Sequence, residues 1–189
     1  MNEAESGQGL LTLEPLLDAV RDGVEGSGWE LSGLQKTTSH EFEGRWSGES
    51  TRSGYLFFHR DDLPEAVSIE VFLDETSRGL RGNLALVLDG PVLGRLGRVR
   101  GVLERVSGAA RETLPEGYRT PVSLRLGLSE AGAEPDAAEI QVRVKLAIPP
   151  AAMEAGASAV SSLATAAVAA FESLLERPEV AELLPPVVE

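Results

Sequence analysis

Few residues in this chain have a type and spacing suited to metal binding. The two histidines, His40 and His59, are far apart in the sequence and lie near Glu41 and the pair Asp61-Asp62. A zinc site needs three or four His, Cys or carboxylate ligands brought together. The chain has no cysteine, which also excludes disulfides and thiol catalysis. We therefore expect no metal site and no cofactor.

Nucleophilic catalysis and phosphate binding also lack their usual motifs. No G-x-S-x-G elbow occurs around a serine. No G-x-x-x-x-G-K-[ST] loop is present, and neither Lys36 nor Lys145 follows a glycine-rich loop. Acidic pairs such as Asp74-Glu75 are typical of solvated strand ends, although two carboxylates held close together can be catalytic. The sequence predicts a protein that is not an enzyme.

The charge of the chain excludes two classes of partner. The 189 residues carry a formal net charge of −13, which repels phosphate backbones and anionic membranes. We expect neither a nucleic acid nor a membrane partner. Residues 1–77 carry −11, residues 78–125 carry +5, and residues 126–189 carry −7. The basic middle segment either binds an acidic partner or is neutralised by its acidic flanks.

The termini and the longest uncharged stretch are typical of a cytoplasmic protein. Residues 1–9 are acidic and polar, unlike a signal peptide. The stretch Ala155–Phe171 is uncharged but rich in Ala, Ser and Gly, so it is too weakly apolar for a good transmembrane span. Residues 1–9 and the proline-containing residues 178–189 are predicted to be flexible tails of a single domain.

Hydrophobic periodicity predicts the elements that position these residues. Apolar residues at helical spacing predict helices over Leu13–Glu25, 91–113 and Ala151–Glu176. Short β segments are predicted between the first two helices, at Trp29–Thr37, Glu41–Ser47, Tyr55–Arg60, Ala66–Asp74 and Asn83–Leu88. Strict alternation over Val122–Leu128 and Ile140–Ile148 indicates a hairpin with one buried and one solvated face.

The element order α–β(4–5)–α–β–β–α predicts an α+β fold, with helices on one face of an antiparallel sheet. It resembles the YbjN-like proteins and the class I type III secretion chaperones, which share an α-β-β-β-α-β-β-α fold. The likeness covers about residues 10–176. It rests on the strand Trp29-Glu30-Leu31 after the first helix, on the hairpin Val122–Ile148, and on the helix after Ile148-Pro149. The extra strand or two between Ala66 and Leu88 depart from the family pattern.

The resemblance implies a homodimer that binds partner polypeptides, as a chaperone or a regulator, with no catalytic residues. A carrier of an apolar small molecule is the alternative hypothesis. A long C-terminal helix on a curved antiparallel sheet also describes helix-grip, START-like proteins, whose cavity holds such ligands. Those folds begin with a strand, whereas this chain begins with a helix.

One face of the predicted second helix is unusual. Glycines and arginines fall there, opposite the Leu/Val stripe. The predicted partner-binding residues are Gly94, Gly97, Arg98, Gly101, Arg105 and Gly108. Each glycine inside a helix costs about 1 kcal/mol relative to alanine, so the set favours close approach by a partner whose carboxylates pair with the arginines. Alternatively, a solvated surface tolerates the glycines, or residues 91–98 form a loop.

The last helix has a second unusual face. Small uncharged residues lie opposite its large apolar side chains. The predicted dimer-interface residues are Ser158, Ser161, Ser162, Thr165 and Ala169. An exposed helix face normally carries charged residues, so this face predicts helix packing across a two-fold axis. The alternative is an alanine-rich face in contact with solvent.

Overall fold

A computed structural model of the chain describes residues 13–39, 50–76, 79–89, 99–116, 122–128 and 138–184. The described part contains five helices and six strands. In chain order these are α1 (Glu14–Glu25), β1 (Glu30–Ser39), β2 (Ser50–His59), β3 (Val67–Thr76), β4 (Gly79–Leu88), α2 (Val99–Thr113), β5 (Val122–Leu128), β6 (Ala138–Ile148), α3 (Pro150–Ala155), α4 (Ala157–Leu175) and α5 (Pro178–Ala181).

The six strands form one antiparallel sheet in the order β1-β2-β3-β4-β6-β5. The predicted α+β class is therefore confirmed. Four described strands precede α2, within the predicted range of four to five. The predicted strand Glu41–Ser47 and the predicted helical residues 91–98 lie outside the described residues.

Strand register separates the sheet into two faces, because directly paired residues of antiparallel strands point to the same side. Leu56, Val71, Leu84 and Leu146 are paired in a row from β2 to β6, and all are buried. We call this side the inner face. The buried side chains of the described helices belong to the hydrophobic core that lies on it. The other side, the outer face, carries the alternate residues of each strand.

The core between the inner face and the helices is filled with large side chains. The largest fully buried ones are Trp29, which directly precedes β1, Phe58 of β2 and Phe171 of α4. α1 approaches the sheet so closely that a Cβ at Gly54 would lie 2.5 Å from the Leu17 side chain. Burial of each such aliphatic or aromatic side chain contributes about 1.5–3 kcal/mol, so one continuous core holds the helices on the sheet.

The predicted single helix Ala151–Glu176 is wrong at one point, because the chain breaks at Gly156. α3 ends at Ala155, and Gly156 has φ of 96°, a backbone conformation that favours glycine. α4 then starts at Ala157. Met153 of α3 is nevertheless fully buried, so both pieces contribute to the core.

Residues 178–184, part of the predicted tail, contain the short helix α5 and pack against the core. Pro178 occupies the first turn of α5, where its missing N–H is not needed. Val180 is fully buried, and its backbone N–H donates to the carbonyl of Arg177 at 2.9 Å. The Arg177 guanidinium pairs with Glu112 of α2 at 2.6 Å. Residues 185–189 and 1–9, the other predicted tail segments, lie outside the described residues.

Candidate protein-binding surfaces

Helices α1 and α4 pack closely on each other through small residues. A Cβ at Gly23 of α1 would lie 2.6 Å from the carbonyl oxygen of Ser161 and 2.9 Å from the Cβ of Ala164. The Thr165 hydroxyl can donate to the Gly23 carbonyl at 3.2 Å or to the Ser161 carbonyl at 3.1 Å. Two of the predicted dimer-interface residues, Ser161 and Thr165, therefore contact a helix of their own chain.

Apart from Ser161, which is half-buried, the uncharged face of α4 is exposed. We call it the α4 stripe; its exposed members are Ser158, Ser162, Thr165, Ala166, Ala169 and Ser173. It is about 22 Å long at a rise of 1.5 Å per residue. No charged side chain occurs in α4 before Glu172, which is half-buried. The structure thus leaves exposed the uncharged face that the sequence indicated.

α4 is the one helix in the described part of the chain that is long and apolar enough to cross a membrane by length and composition. Its mean hydropathy is 1.4. Val160, Val168 and Phe171 are fully buried in the core. These contacts place one side of α4 in the core, and 39% of its most apolar 18 residues are buried.

A shallow groove of about 440 Å³ lies beside the α4 stripe, between α1 and the start of α4. Its lining residues are Pro15, Asp18, Ala19, Asp22, Ala157, Ser158 and Ser161. Asp18 and Asp22 are acidic, and Arg21 lies within 3.3 Å and 3.7 Å of their carboxylates. The groove continues the surface of small residues from α4 towards α1.

On the predicted partner-binding face of α2, Gly101 and Arg105 are exposed and Gly108 is half-buried. Ideal Cβ atoms at Gly101 and Gly108 would meet nothing within 4 Å. Arg105 is exposed, with Glu182 at 3.5 Å, and Arg100 pairs with Glu104 at 2.9 Å. Acidic groups of the same chain therefore already contact part of the basic segment. Gly94, Gly97 and Arg98 lie outside the described residues.

The outer face of the sheet carries a cluster of three aromatic side chains. Tyr55 and Phe72 are paired across β2 and β3, and their ring centroids are 4.5 Å apart. Phe57 is the next outward residue on β2 and lies against Gly33 of β1. Tyr55 is 40% exposed, and Phe57 and Phe72 are half-buried. We call these three rings the outer aromatic cluster.

The opposite half of the outer face is basic. Four outward positions on β4, β5 and β6 carry cations, namely Arg81, Arg125, Arg143 and Lys145. Glu139 is the acidic residue at an outward register position of these strands, where it is paired with Gly127. The four cations thus lie in one half of the face, in a chain whose net charge is −13.

Two ion pairs connect this basic half to β3. Arg143 of β6 reaches across β4 to Glu70, and both side chains are mostly buried. Their pairing covers the small outward side chain of Ala85, which is fully buried on β4. Arg81 pairs with Asp74 at 2.6 Å, and its guanidinium lies over the Phe72 ring, 5.8 Å from the centroid. Arg81 remains 67% exposed.

A further polar cluster joins α4 to the sheet. The Trp29 indole N–H donates to the Glu172 carboxylate at 3.2 Å, and Arg60 binds the same oxygen at 2.6 Å. Arg60 also pairs with Asp62 at 2.5 Å and lies over the Trp29 ring at 5.4 Å. Because Trp29 is buried and its N–H has an acceptor, the cluster stabilises the fold.

Among the described residues, no group of three or more His, Asp or Glu side chains is placed to hold a metal ion. His59 is exposed at the end of β2, and His40 lies outside the described residues. The described ionisable groups that contact one another, such as Glu172 and Arg60, form structural ion pairs.

The outer aromatic cluster was not predicted from the sequence, although a signal was present. Tyr55 and Phe57 are two residues apart in a predicted strand, so they share a face. Phe72 alternates with Val71 and Leu73, which are buried. These patterns place aromatic residues on the solvated side. Their proximity depends on the register between β2 and β3, which the sequence does not specify.

Comparison with protein-family models, with curated proteins and with solved structures returned no significant match to this chain. The resemblance to the YbjN-like proteins and the type III secretion chaperones therefore stays a prediction. What the fold establishes is the class: an α+β domain with an open six-stranded antiparallel sheet and helices on its inner face.

Proposed function

We propose that this chain is a non-enzymatic protein-binding module, chaperone-like or regulatory, that acts in the cytoplasm as a homodimer. The observation that carries the proposal is the α4 stripe. An exposed helix face normally carries charged residues, whereas this stripe has none over about four helical turns.

The chemistry of the stripe suits contact with a second copy. In a two-fold dimer the same patch faces itself, so an uncharged patch brings no like charges together. Its Ser, Thr and Ala side chains are short and permit close approach of two helices. The packing of Gly23 against Ser161 and Ala164 shows that α4 already accepts a close helix contact on an adjacent face.

The packed core gives less support to the alternative, a carrier of an apolar ligand. A helix-grip carrier holds its ligand between the sheet and the long helix. Here Phe58 of β2 and Phe171 of α4 are fully buried in that space, together with Ile69 and Leu86 from the inner face. Native mass spectrometry separates the two hypotheses, because a co-purifying lipid favours the carrier.

Oligomeric state tests the proposal directly. We expect the wild-type protein to have twice the 20.0 kDa mass of one chain in size-exclusion chromatography with light scattering, at on the order of tens of micromolar. Ser162→Glu places a charge in the stripe and is expected to give monomers. Ser107→Glu makes the same change at an exposed position of α2 and should leave the dimer intact. A monomeric wild-type protein, or a dimeric Ser162→Glu variant, contradicts dimerisation through α4.

The partner surface on α2 remains a second part of the proposal. Gly101, Arg105 and Gly108 are accessible there, and the arginine suits a partner carboxylate. Its contact with Glu182 is long and exposed, so it weakly opposes binding of a partner. The α2 surface is one of two candidate surfaces for a partner. The other is the outer face of the sheet.

A further inference from the structure

We infer that the outer face of the sheet binds an acidic polypeptide segment with an apolar anchor. The segment would place its apolar residue on the outer aromatic cluster and its carboxylates on the basic half of the face. This inference rests on the proposed protein-binding function and deepens it, since it names a surface and the chemistry of the partner.

The composition of the face is the first support. Protein interfaces are enriched in aromatic residues and arginine and depleted in Lys, Glu, Asp, Ser and Ala. The outer face brings together Tyr55, Phe57, Phe72 and three arginines at outward positions. The helix-covered side differs, because α1 and α4 expose mainly Asp, Glu, Ser and Ala. The residue types that most often dominate binding energy are Trp, Tyr and Arg, and two of these are concentrated here.

Charge complementarity selects an acidic partner. A segment rich in carboxylates is repelled by most of a surface that carries −13 overall. The outward side chains of β4, β5 and β6 are one exception, with four cations described there, and the exposed arginines of α2 are another. Arg125 is exposed at the sheet edge, and Arg81 is 67% exposed although it pairs with Asp74. The cations of the outer face therefore attract an acidic segment.

The spacing of the two halves suits a short segment. Phe57, Glu70, Ala85 and Lys145 form one row across four adjacent strands. Neighbouring strands lie about 4.8 Å apart, so the row spans about 14 Å, the length of four or five extended residues. One short segment can thus contact the aromatic cluster and the cations at once. The Arg143–Glu70 ion pair, which crosses β4, lies between them.

A peptide-display selection tests the inference with a defined probe. A random library of 12-residue peptides is selected on the immobilised wild-type protein. We expect enriched peptides to be acidic and to contain an aromatic or large aliphatic residue. Their Kd should weaken by about tenfold or more for Tyr55→Thr, which removes the exposed ring. Arg125→Glu should weaken binding too, and the wild-type Kd should rise with salt.

Arg105→Glu on α2 is the matched control, since it makes the same charge reversal on the competing surface. Peptides that bind this variant normally and lose affinity for Tyr55→Thr support the outer face. Peptides that lose affinity for Arg105→Glu but bind Tyr55→Thr normally overturn the inference and leave the proposed protein-binding function standing. Failure of any peptide to enrich counts against both. Circular dichroism of each variant establishes that the fold is retained.

Discussion

Gly23 on α1 and the pair Gly101 and Gly108 on α2 are all glycines inside helices, yet their surroundings are opposite. Gly23 faces the backbone of α4, and a Cβ there would lie 2.6 Å from a carbonyl oxygen. Gly101 and Gly108 face open space. The first glycine is required by a contact within the chain, whereas nothing described in the chain requires the other two. A glycine within a helix therefore indicates a close helix contact only where the backbone of another helix lies against it.

Among alanine substitutions at these three glycines, Gly23→Ala is expected to change the free energy of unfolding most. The added methyl group overlaps the Ser161 carbonyl, and backbone has little freedom to move. Overpacking of a core contact costs about 1–3 kcal/mol, and the 2.6 Å approach to backbone at Gly23 places this change in the upper part of that range. That cost exceeds the helix propensity of about 1 kcal/mol that alanine gains over glycine. We expect a net loss of about 1–2 kcal/mol in the free energy of unfolding, measured by urea denaturation. An unchanged or higher stability would show that α1 and α4 are less tightly packed than the geometry indicates.

The second prediction compares two carboxylates that pair with arginine. Glu172 of α4 accepts hydrogen bonds from Arg60 and from the buried Trp29 indole. Glu172→Ala leaves both donors without this acceptor, and we expect a loss of about 1–2 kcal/mol in unfolding free energy. Glu182→Ala removes the exposed partner of Arg105 and is expected to cost less than about 0.5 kcal/mol.

Glu172→Gln refines this measurement. The amide oxygen can still accept from Trp29, but the charge opposite Arg60 is lost. Its stability should lie between those of the wild type and Glu172→Ala in the same denaturation experiment. Equal losses of unfolding free energy for Glu172→Ala and Glu182→Ala would mean that partial burial does not strengthen the interactions of Glu172 with Arg60 and Trp29.

The sequence was sufficient for the fold class but not for the contacts between elements. Strict alternation in β5 and β6 and the helical spacing in α1 identified these elements, because each buries one side. The break at Gly156 was missed, since the Ala- and Ser-rich sequence on both sides favours a continuous helix. The packing of Val180 was missed because a proline next to a short apolar segment also suits a tail.

The candidate surfaces were predictable to a smaller extent. The uncharged face of α4 follows from helical periodicity alone, and its exposed residues include Ser162 and Ala169. The contact of Ser161 with Gly23 does not follow, because it depends on where α1 lies. The outer aromatic cluster needs the register that pairs Tyr55 with Phe72. Local patterns thus identify faces, whereas tertiary arrangement decides which faces are covered.

Alanine at the α2 glycines is expected to give a smaller effect than Gly23→Ala, and one of opposite sign. Gly101→Ala and Gly108→Ala each add a methyl group where no atom lies within 4 Å. Alanine reduces the conformational freedom of the unfolded chain, so each change should raise the free energy of unfolding by about 0.5–1 kcal/mol. The expected gain in Tm is about 2–4 °C per kcal/mol for a chain of this size, measured by thermal circular dichroism.

The double variant Gly101→Ala/Gly108→Ala also tests whether a partner binds α2 or the outer face of the sheet. If a partner docks closely on α2, the added methyl groups obstruct its backbone and weaken binding despite the higher stability. If the outer face of the sheet is the binding surface, selected peptides should bind the stabilised double variant with unchanged Kd. A loss of stability in either single variant would show that part of the chain contacts α2 at that glycine.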